Sequence, residues 1–248
     1  MAMAGSYIRV RAILSPVMAS VGVRSRLPLR ALGARLQPTL SPRDIFPELE
    51  QEFGDYRRYL RGRVLNAGAG HRDISSMVDG TLINQDIETG LHNDNIDVYS
   101  PLDAIPFEDG YFDAIICNAV LEHVADPAAV MSEFARVCKP GGLLYLVVPF
   151  MQPEHLDPTD FQRYTRDGLA RLCETHGFGA IRVEGVHSVY VTLAWIVAEW
   201  LRDARGVRAT VLRFILYPYL KRKARTSTEH VHSLASAYRA IGVRLPAP

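Results

Sequence analysis

A chain of 248 residues, 48% of them hydrophobic, is long enough for one large domain that buries about three quarters of its unfolded surface. A formal net charge of +1, from 28 basic and 27 acidic residues, gives no electrostatic ground for nucleic-acid binding. Cys117, Cys138 and Cys173 match no zinc or redox spacing and form no disulfide framework, and no uncharged apolar run reaches the roughly eighteen residues of a membrane span, so a cytoplasmic setting is expected.

Residues 1–43 carry seven arginines and no acid, with Ile8, Val10, Ile13, Leu14, Val17 and Met18 interleaved. Three readings stand side by side: an extension packed beside the core, a basic amphipathic segment lying on an anionic membrane surface, and an organelle-targeting sequence. Pro16, Pro28, Pro38 and Pro42 exclude one long helix. Ser41-Pro-Arg-Asp44 reads as a helix start, and the spacing predicts a helix from Asp44 to Leu60 that covers a ligand crevice.

The stretch Gly62-Arg-Val-Leu-Asn-Ala-Gly68-Ala-Gly70 reads as a buried strand running into a sharp turn where glycine lets the backbone approach a ligand. A second apolar run, Leu82-Ile83, ends in Asp86. In a strand-helix-strand unit, an acid at the tip of the second strand accepts hydrogen bonds from a ribose, so the pair predicts a nucleoside crevice. Asp73 stands where a dinucleotide fingerprint needs a third glycine, which disfavours a nicotinamide or flavin site.

Ile96-Asp-Val-Tyr99 predicts a short third strand, and Phe112-Asp-Ala-Ile-Ile-Cys117 a buried fourth one with Asn118 at its end. Asp126-Pro127 starts a helix that Lys139-Pro-Gly-Gly142 is expected to end, and Leu143–Val148 is a wholly apolar strand. This alternation means an α/β fold, with a mostly parallel sheet and helices on both faces. Thr165–His176 reads as a helix and Ala180–Val186 as a sixth strand. Residues 190–230 form an aromatic and apolar insertion with scattered arginines, closed by Lys221-Arg-Lys-Ala-Arg225. A seventh strand falls within Ser233–Leu245.

Five pieces in order carry a resemblance: Val64-Leu-Asn-Ala-Gly-Ala-Gly70, Asp86, Ile105-Pro-Phe-Glu-Asp-Gly-Tyr-Phe-Asp113, Val120-Leu-Glu-His123 and Arg136-Val-Cys-Lys-Pro-Gly-Gly142. Over about residues 60–185 the chain resembles class I S-adenosylmethionine-dependent methyltransferases, of the type-11 group that acts mostly on small molecules. The resemblance implies a Rossmann-like sheet of seven strands with the last antiparallel, over a domain spanning 44–248. It implies S-adenosylmethionine as cofactor, with Asn66 at the first acidic position of the glycine motif and Gly68 and Gly70 beneath the methionine part. Asp86 would hold the ribose hydroxyls, Leu102 and Asp103 would frame the adenine, and Asn118 would lie near the sulfonium. Asn66, Arg72 and Pro101 depart from the family pattern.

Acceptor groups are expected after the fourth and fifth strands, where open α/β sheets bind ligands. Pro149-Phe, His155, Pro158-Thr-Asp160 and Arg163 resemble a signature of a subset of these enzymes. His155 is the expected base, Asp160 its orienting partner and His123 a further catalytic candidate; each has the alternative of tying down a loop. No metal is expected. The apolar insertion suggests a lipidic, lipid-linked or glycosylated small-molecule acceptor with methylation at oxygen or nitrogen, or contact with a membrane surface, against packed helices or a homodimer face. A non-catalytic cofactor-binding scaffold and an NAD-dependent enzyme are the alternative functions.

Overall fold

The computed structural model describes residues 40, 45–46, 48–87, 93–156 and 159–246. The basic N-terminal extension and the helix start at Ser41–Asp44 lie outside the described residues.

Seven strands form one sheet: β1 Arg61–Ala67, β2 Asp79–Asp86, β3 Val98–Tyr99, β4 Phe112–Asn118, β5 Cys138–Pro149, β6 Phe178–Val186 and β7 Ala237–Arg244. Their order is β3-β2-β1-β4-β5-β7-β6. β7 runs antiparallel to both neighbours, and the other pairs are parallel. This is the Rossmann-like arrangement expected, with the reversed last strand inserted beside β5. The order turns back between β1 and β4, so the carboxyl ends of those two strands open a crevice.

The central strands are apolar because both sheet faces are covered. Successive side chains of β4 point to opposite faces, and they enter different cores. Ile115 packs with Phe134, Leu144 and Phe178, whereas Ala114 and Ile116 pack with Phe53, Leu60 and Tyr145. The first core is closed by α2, Pro127–Val137, and α3, Arg166–Thr175. Asp126 accepts hydrogen bonds from the amides of Ala128 and Ala129 and Pro127 opens α2, while the Thr165 hydroxyl accepts from Gly168 at the start of α3. Both caps satisfy amides that have no partner within their helix.

Between β6 and β7 lie α4, Val189–Asp203, and α5, Val207–Val211, continued by a π turn, Leu212–Leu216, into α6, Tyr217–Thr226. Pro218, near the start of α6, has no amide to donate, and the wider turn precedes it. Val191, Trp195, Leu201, Tyr217 and Leu220 make a third core that also takes in Ile45. Among the described residues no helix is long and apolar enough to cross a membrane.

Three local expectations need correction. The predicted helix over 44–60 is a short α1, Leu49–Phe53, followed by a 3-10 turn, Gly54–Tyr59, because Gly54 leaves the helix at φ +51°. No α-helix follows the glycine turn: Asp73 accepts the Ser75 amide at 2.8 Å, and a single 3-10 turn, Ser75–Met77, leads into β2. Lys139–Gly142 belongs to β5, whose register against β4 shifts between Phe112 and Ala114, so the segment acts as a bulge.

Asp113 fastens that bulge. One carboxylate oxygen accepts the Arg63 amide at 2.8 Å and the other lies 2.5 Å from Lys139 Nζ. The lysine first, and the amide second, hold the carboxyl below its usual range. A depressed folded-state value stabilises above the unfolded value and is lost as the pH falls through the folded one. Asp113→Asn is therefore expected to flatten the acid limb of the melting temperature against pH, while wild-type and variant curves differ most at neutral pH. Thermal melts across the acid range check this.

Candidate active site

The turn after β1 uses glycine at two positions for different reasons. Gly68 has φ +69°, and a Cβ there would lie 2.4 Å from a Val120 methyl. Gly70 has φ +55° with open space where a Cβ would be. The Gly70 amide donates to Asp86 Oδ2 at 2.8 Å, and the Ile87 amide donates to Oδ1 at 2.7 Å. Asp86 is thus fixed at the tip of β2 by backbone groups, with lone pairs left on both oxygens. The Gly70 carbonyl accepts from Asn93 and Asn95 at 2.8 and 3.2 Å. Gln85, fully buried, accepts the Gly68 amide at 3.2 Å and donates to the Ser100 carbonyl at 2.5 Å.

Asn66 pairs across the β1–β2 register with Asn84, donating to its Oδ1 at 2.9 Å. An amide suits this spot because a carboxylate could not donate to that oxygen. At the end of β4, Asn118 donates to Glu52 Oε1 at 2.6 Å, and Arg72 forms a two-nitrogen ion pair with the same carboxylate. Arg72 stands at the third small position of the glycine motif, and its side chain closes onto α1. Leu102 is buried in the first core with Asp103 exposed beside it. Glu52 also lines a cleft of about 700 Å³ with Glu184, His187, Arg225, His230 and Arg239. His187 is half-buried at φ +69°, and desolvation pushes its imidazole down to about 4.

The acceptor-side candidates come together on two loops. Glu122 and His123 belong to a 3-10 turn, Leu121–His123, and His155 lies in the segment after β5. His155 Nε2 is 3.4 Å and His123 Nε2 is 3.7 Å from Glu122 Oε1. The two rings meet edge to face with centroids 5.2 Å apart, and Trp195 lies 5.7 Å from His155. The Glu122 side chain is fully buried, yet neither carboxylate oxygen receives a hydrogen bond among the described residues; the buried Tyr164 hydroxyl is likewise unpartnered. The carboxylate facing His155 raises its imidazole above the ordinary value, against burial, which acts in the other direction.

Asp160 sits otherwise than expected. It accepts the His155 backbone amide at 3.0 Å and a two-nitrogen fork from Arg163, while its nearest oxygen is 3.7 Å from His155 Nδ1. Arg163 holds the Asp160 carboxyl down at about 2. The ring itself is set by the Pro153 carbonyl, 3.2 Å from Nδ1. The carboxylate that faces its outer nitrogen is Glu122.

Residues 80–146 match the model of a family described as a methyltransferase domain. That match takes in β2 to β5, and the sheet around it has the Rossmann-like order. Among curated relatives, the demethylmenaquinone methyltransferase of Mycolicibacterium gilvum is 34% identical over 97 residues, 39% of each chain. The ubiquinone biosynthesis O-methyltransferase of Xanthomonas oryzae pv. oryzae is 47% identical over 49 residues, 20% of each. The chain thus spans well under half the length of these relatives. Among solved structures, phosphoethanolamine N-methyltransferase 2 of Haemonchus contortus, in complex with S-adenosyl-L-methionine, superposes at a TM-score of 0.53 and 14% identity, covering 80% of this chain and 53% of that one.

Asn66, Gly68, Gly70 and Asp86 thus lie at or just past the ends of β1 and β2, Asn118 at the end of β4, and His123 with His155 on the loops beyond β4 and β5. Sequence reading passed over Glu52, Gln85 and Glu122. A signal existed for the last two, since each is a polar residue inside or beside an apolar run. Gly68→Ala is expected to destabilise the domain by about 1–3 kcal/mol through overpacking. Adding Val120→Ala should return the steric part and leave the cost of the positive φ, as denaturant melts of the single and double variants would report.

Proposed function

We propose that this chain is an S-adenosylmethionine-dependent methyltransferase that alkylates an oxygen or nitrogen of a small molecule. The observation that carries the reading is the Asp86 carboxylate, fixed by the Gly70 and Ile87 amides beside two positive-φ glycines at the carboxyl end of parallel strands. These residues fit a nucleoside ligand. A ribose needs acceptors for its two hydroxyls, and a carboxylate whose oxygens each keep lone pairs supplies them. Gly68 and Gly70 would carry the backbone under the amino-acid part, and Asn118 would border it. When bound, the cofactor supplies an electrophilic methyl group.

The remaining work falls to the chain's own groups. His155, with Nδ1 directed at the Pro153 carbonyl, has Nε2 free to take the proton of an acceptor hydroxyl, and Glu122 would stabilise the imidazolium so formed. Trp195 walls one side of this region. The polar cleft beside Glu52 and the apolar insertion together favour an acceptor with a polar or glycosylated head and a lipid-linked part.

A peripheral membrane contact is supported by the exposed faces of the insertion. Leu193, Ile196 and Trp200 lie at helical spacing on α4, and Val211, Ile215 and Tyr219 follow on α5 to α6, with Arg222 and Arg225 nearby.

S-Adenosylhomocysteine at about a hundred times its dissociation constant should raise the melting temperature by about 5–10 °C. NAD should not, and Asp86→Ala should abolish the rise; a rise with NAD alone would overturn the reading. His155→Ala should lower kcat about a hundredfold or more in an acceptor screen, with cofactor affinity unchanged. For the membrane contact, flotation with vesicles containing anionic lipid should recover the protein at low salt and lose it at high salt. Ile196→Glu with Trp200→Glu should release it without loss of stability. Concentration-dependent dimers that these substitutions dissolve, with no flotation, would assign the same face to self-association.

A further inference from the structure

We infer that Glu122, His123 and His155 form a binding site for a divalent transition-metal ion, of the zinc, iron or manganese class. Each offers one ligand atom, and these atoms all lie within 4.8 Å of one another. Two of the separations, 3.4 and 3.7 Å, are close to the edge of a coordination tetrahedron. Ligand atoms at about 2.1 Å from a shared ion stand about 3.4 Å apart at tetrahedral angles. The remaining edge, within 4.8 Å, exceeds the tetrahedral one by about 1.4 Å at most, a gap shared between two imidazoles.

The partners of the outer nitrogens point the same way. His123 Nδ1 lies 2.5 Å from the Thr159 carbonyl, and His155 Nδ1 lies 3.2 Å from the Pro153 carbonyl. A carbonyl oxygen only accepts, so each Nδ1 carries its proton, and in the neutral ring each Nε2 is then a lone pair. Two lone pairs and a carboxylate around a common point repel unless a proton or a metal cation lies between them. Backbone carbonyls that fix the tautomer of ligating histidines are the usual outer partners of a metal site. Glu122 adds a second, independent sign: a fully buried carboxylate without a hydrogen bond to either oxygen is a costly feature that a bound cation would remove. The histidine side chains are 15% and 27% exposed, so the cluster keeps a route to solvent and an open coordination position.

Cation binding stands apart from the proposed methyl transfer; only the ion's use rests on that reading. With an ion in place His155 is a ligand, and an acceptor hydroxyl that joins the open position would be acidified by coordination instead of by the imidazole.

The test uses the tag-free full-length protein, stripped with chelator and titrated with zinc alone by calorimetry, with cobalt absorption as a second readout. One equivalent should bind at micromolar affinity or tighter, raise the melting temperature, and give the visible bands of four-coordinate cobalt. Glu122→Gln removes the charge but keeps the shape. It should leave the metal-free protein as stable as wild type or more so, and weaken zinc binding by about a hundredfold or more, as should His123→Ala. Failure of the wild-type protein to bind stoichiometric zinc would overturn the site, as would equal affinity in both variants, which would mean adventitious binding at the histidines and cysteines elsewhere. Because no cofactor or acceptor is present, a negative result here leaves the methyltransferase reading intact, and failure of S-adenosylhomocysteine to bind leaves the metal site intact.

Discussion

The buried carboxylate of Glu52 is the point on which the crevice depends. Its side chain accepts from Asn118 at the end of β4 and from Arg72 after the glycine turn. Its main-chain carbonyl accepts from Arg239 of β7 at 2.8 Å and from the Tyr145 hydroxyl of β5 at 3.3 Å. One residue of a five-residue helix thus joins both halves of the sheet. Such a helix has little stability of its own, since so short a segment does not offset the cost of nucleation. It is held by Phe53, stacked on Tyr145 with centroids 5.0 Å apart, and by the charge network around Glu52. An unpaired carboxylate at that depth would be strongly unfavourable, so Arg72 and Asn118 are structural requirements of the covering segment.

This explains a departure that looks like a loss when the sequence is compared with the family it resembles. The glycine motif tolerates Arg72 in place of a small residue because the side chain leaves the crevice floor and turns toward α1. Asn66 is explained in the same terms: its neighbour in the register is Asn84, and an amide pair satisfies both groups. The donor half of the site is built largely of backbone, with amides of Gly68, Gly70 and Ile87 held by Gln85 and Asp86. Backbone geometry of this kind is written in glycine spacing and in an acid at a strand tip. That is why the sheet with its reversed last strand, the glycine turn and the acid at the tip of β2 were legible in the sequence.

The acceptor half was legible only as a cluster of polar residues. His155 stood out, but its partner was sought at Asp160, five residues away, because reasoning along the chain favours near neighbours. Glu122 belongs to a different loop, and the sequence has no term for the distance between the ends of β4 and β5. The short helical pieces failed for a related reason. Gly54 and the Asp73 turn override apolar spacing that would suit a longer helix, and local turn chemistry decides when a segment has few tertiary contacts to enforce its periodicity.

The two acceptor loops are locked to each other by bonds that leave their reactive groups unused. The Phe161 amide donates to the Glu122 carbonyl at 2.8 Å, and the Gln162 amide group donates to the carbonyls of Leu121 and Val124 at 3.2 and 3.1 Å. Arg163 forks onto Asp160, which in turn holds the His155 backbone. All but the Arg163–Asp160 fork bind main-chain atoms, and none of them consumes the Glu122 carboxylate or either Nε2. A loop pair whose only task was to cover the sheet would relieve a buried charge by turning one of the nearby donors onto it. Here Gln162 and Arg163 serve other partners while the carboxylate is left to two imidazoles. The surrounding bonds therefore leave the Glu122 carboxylate and the two imidazoles facing one another, which is the arrangement that the proposed binding or proton-transfer role requires.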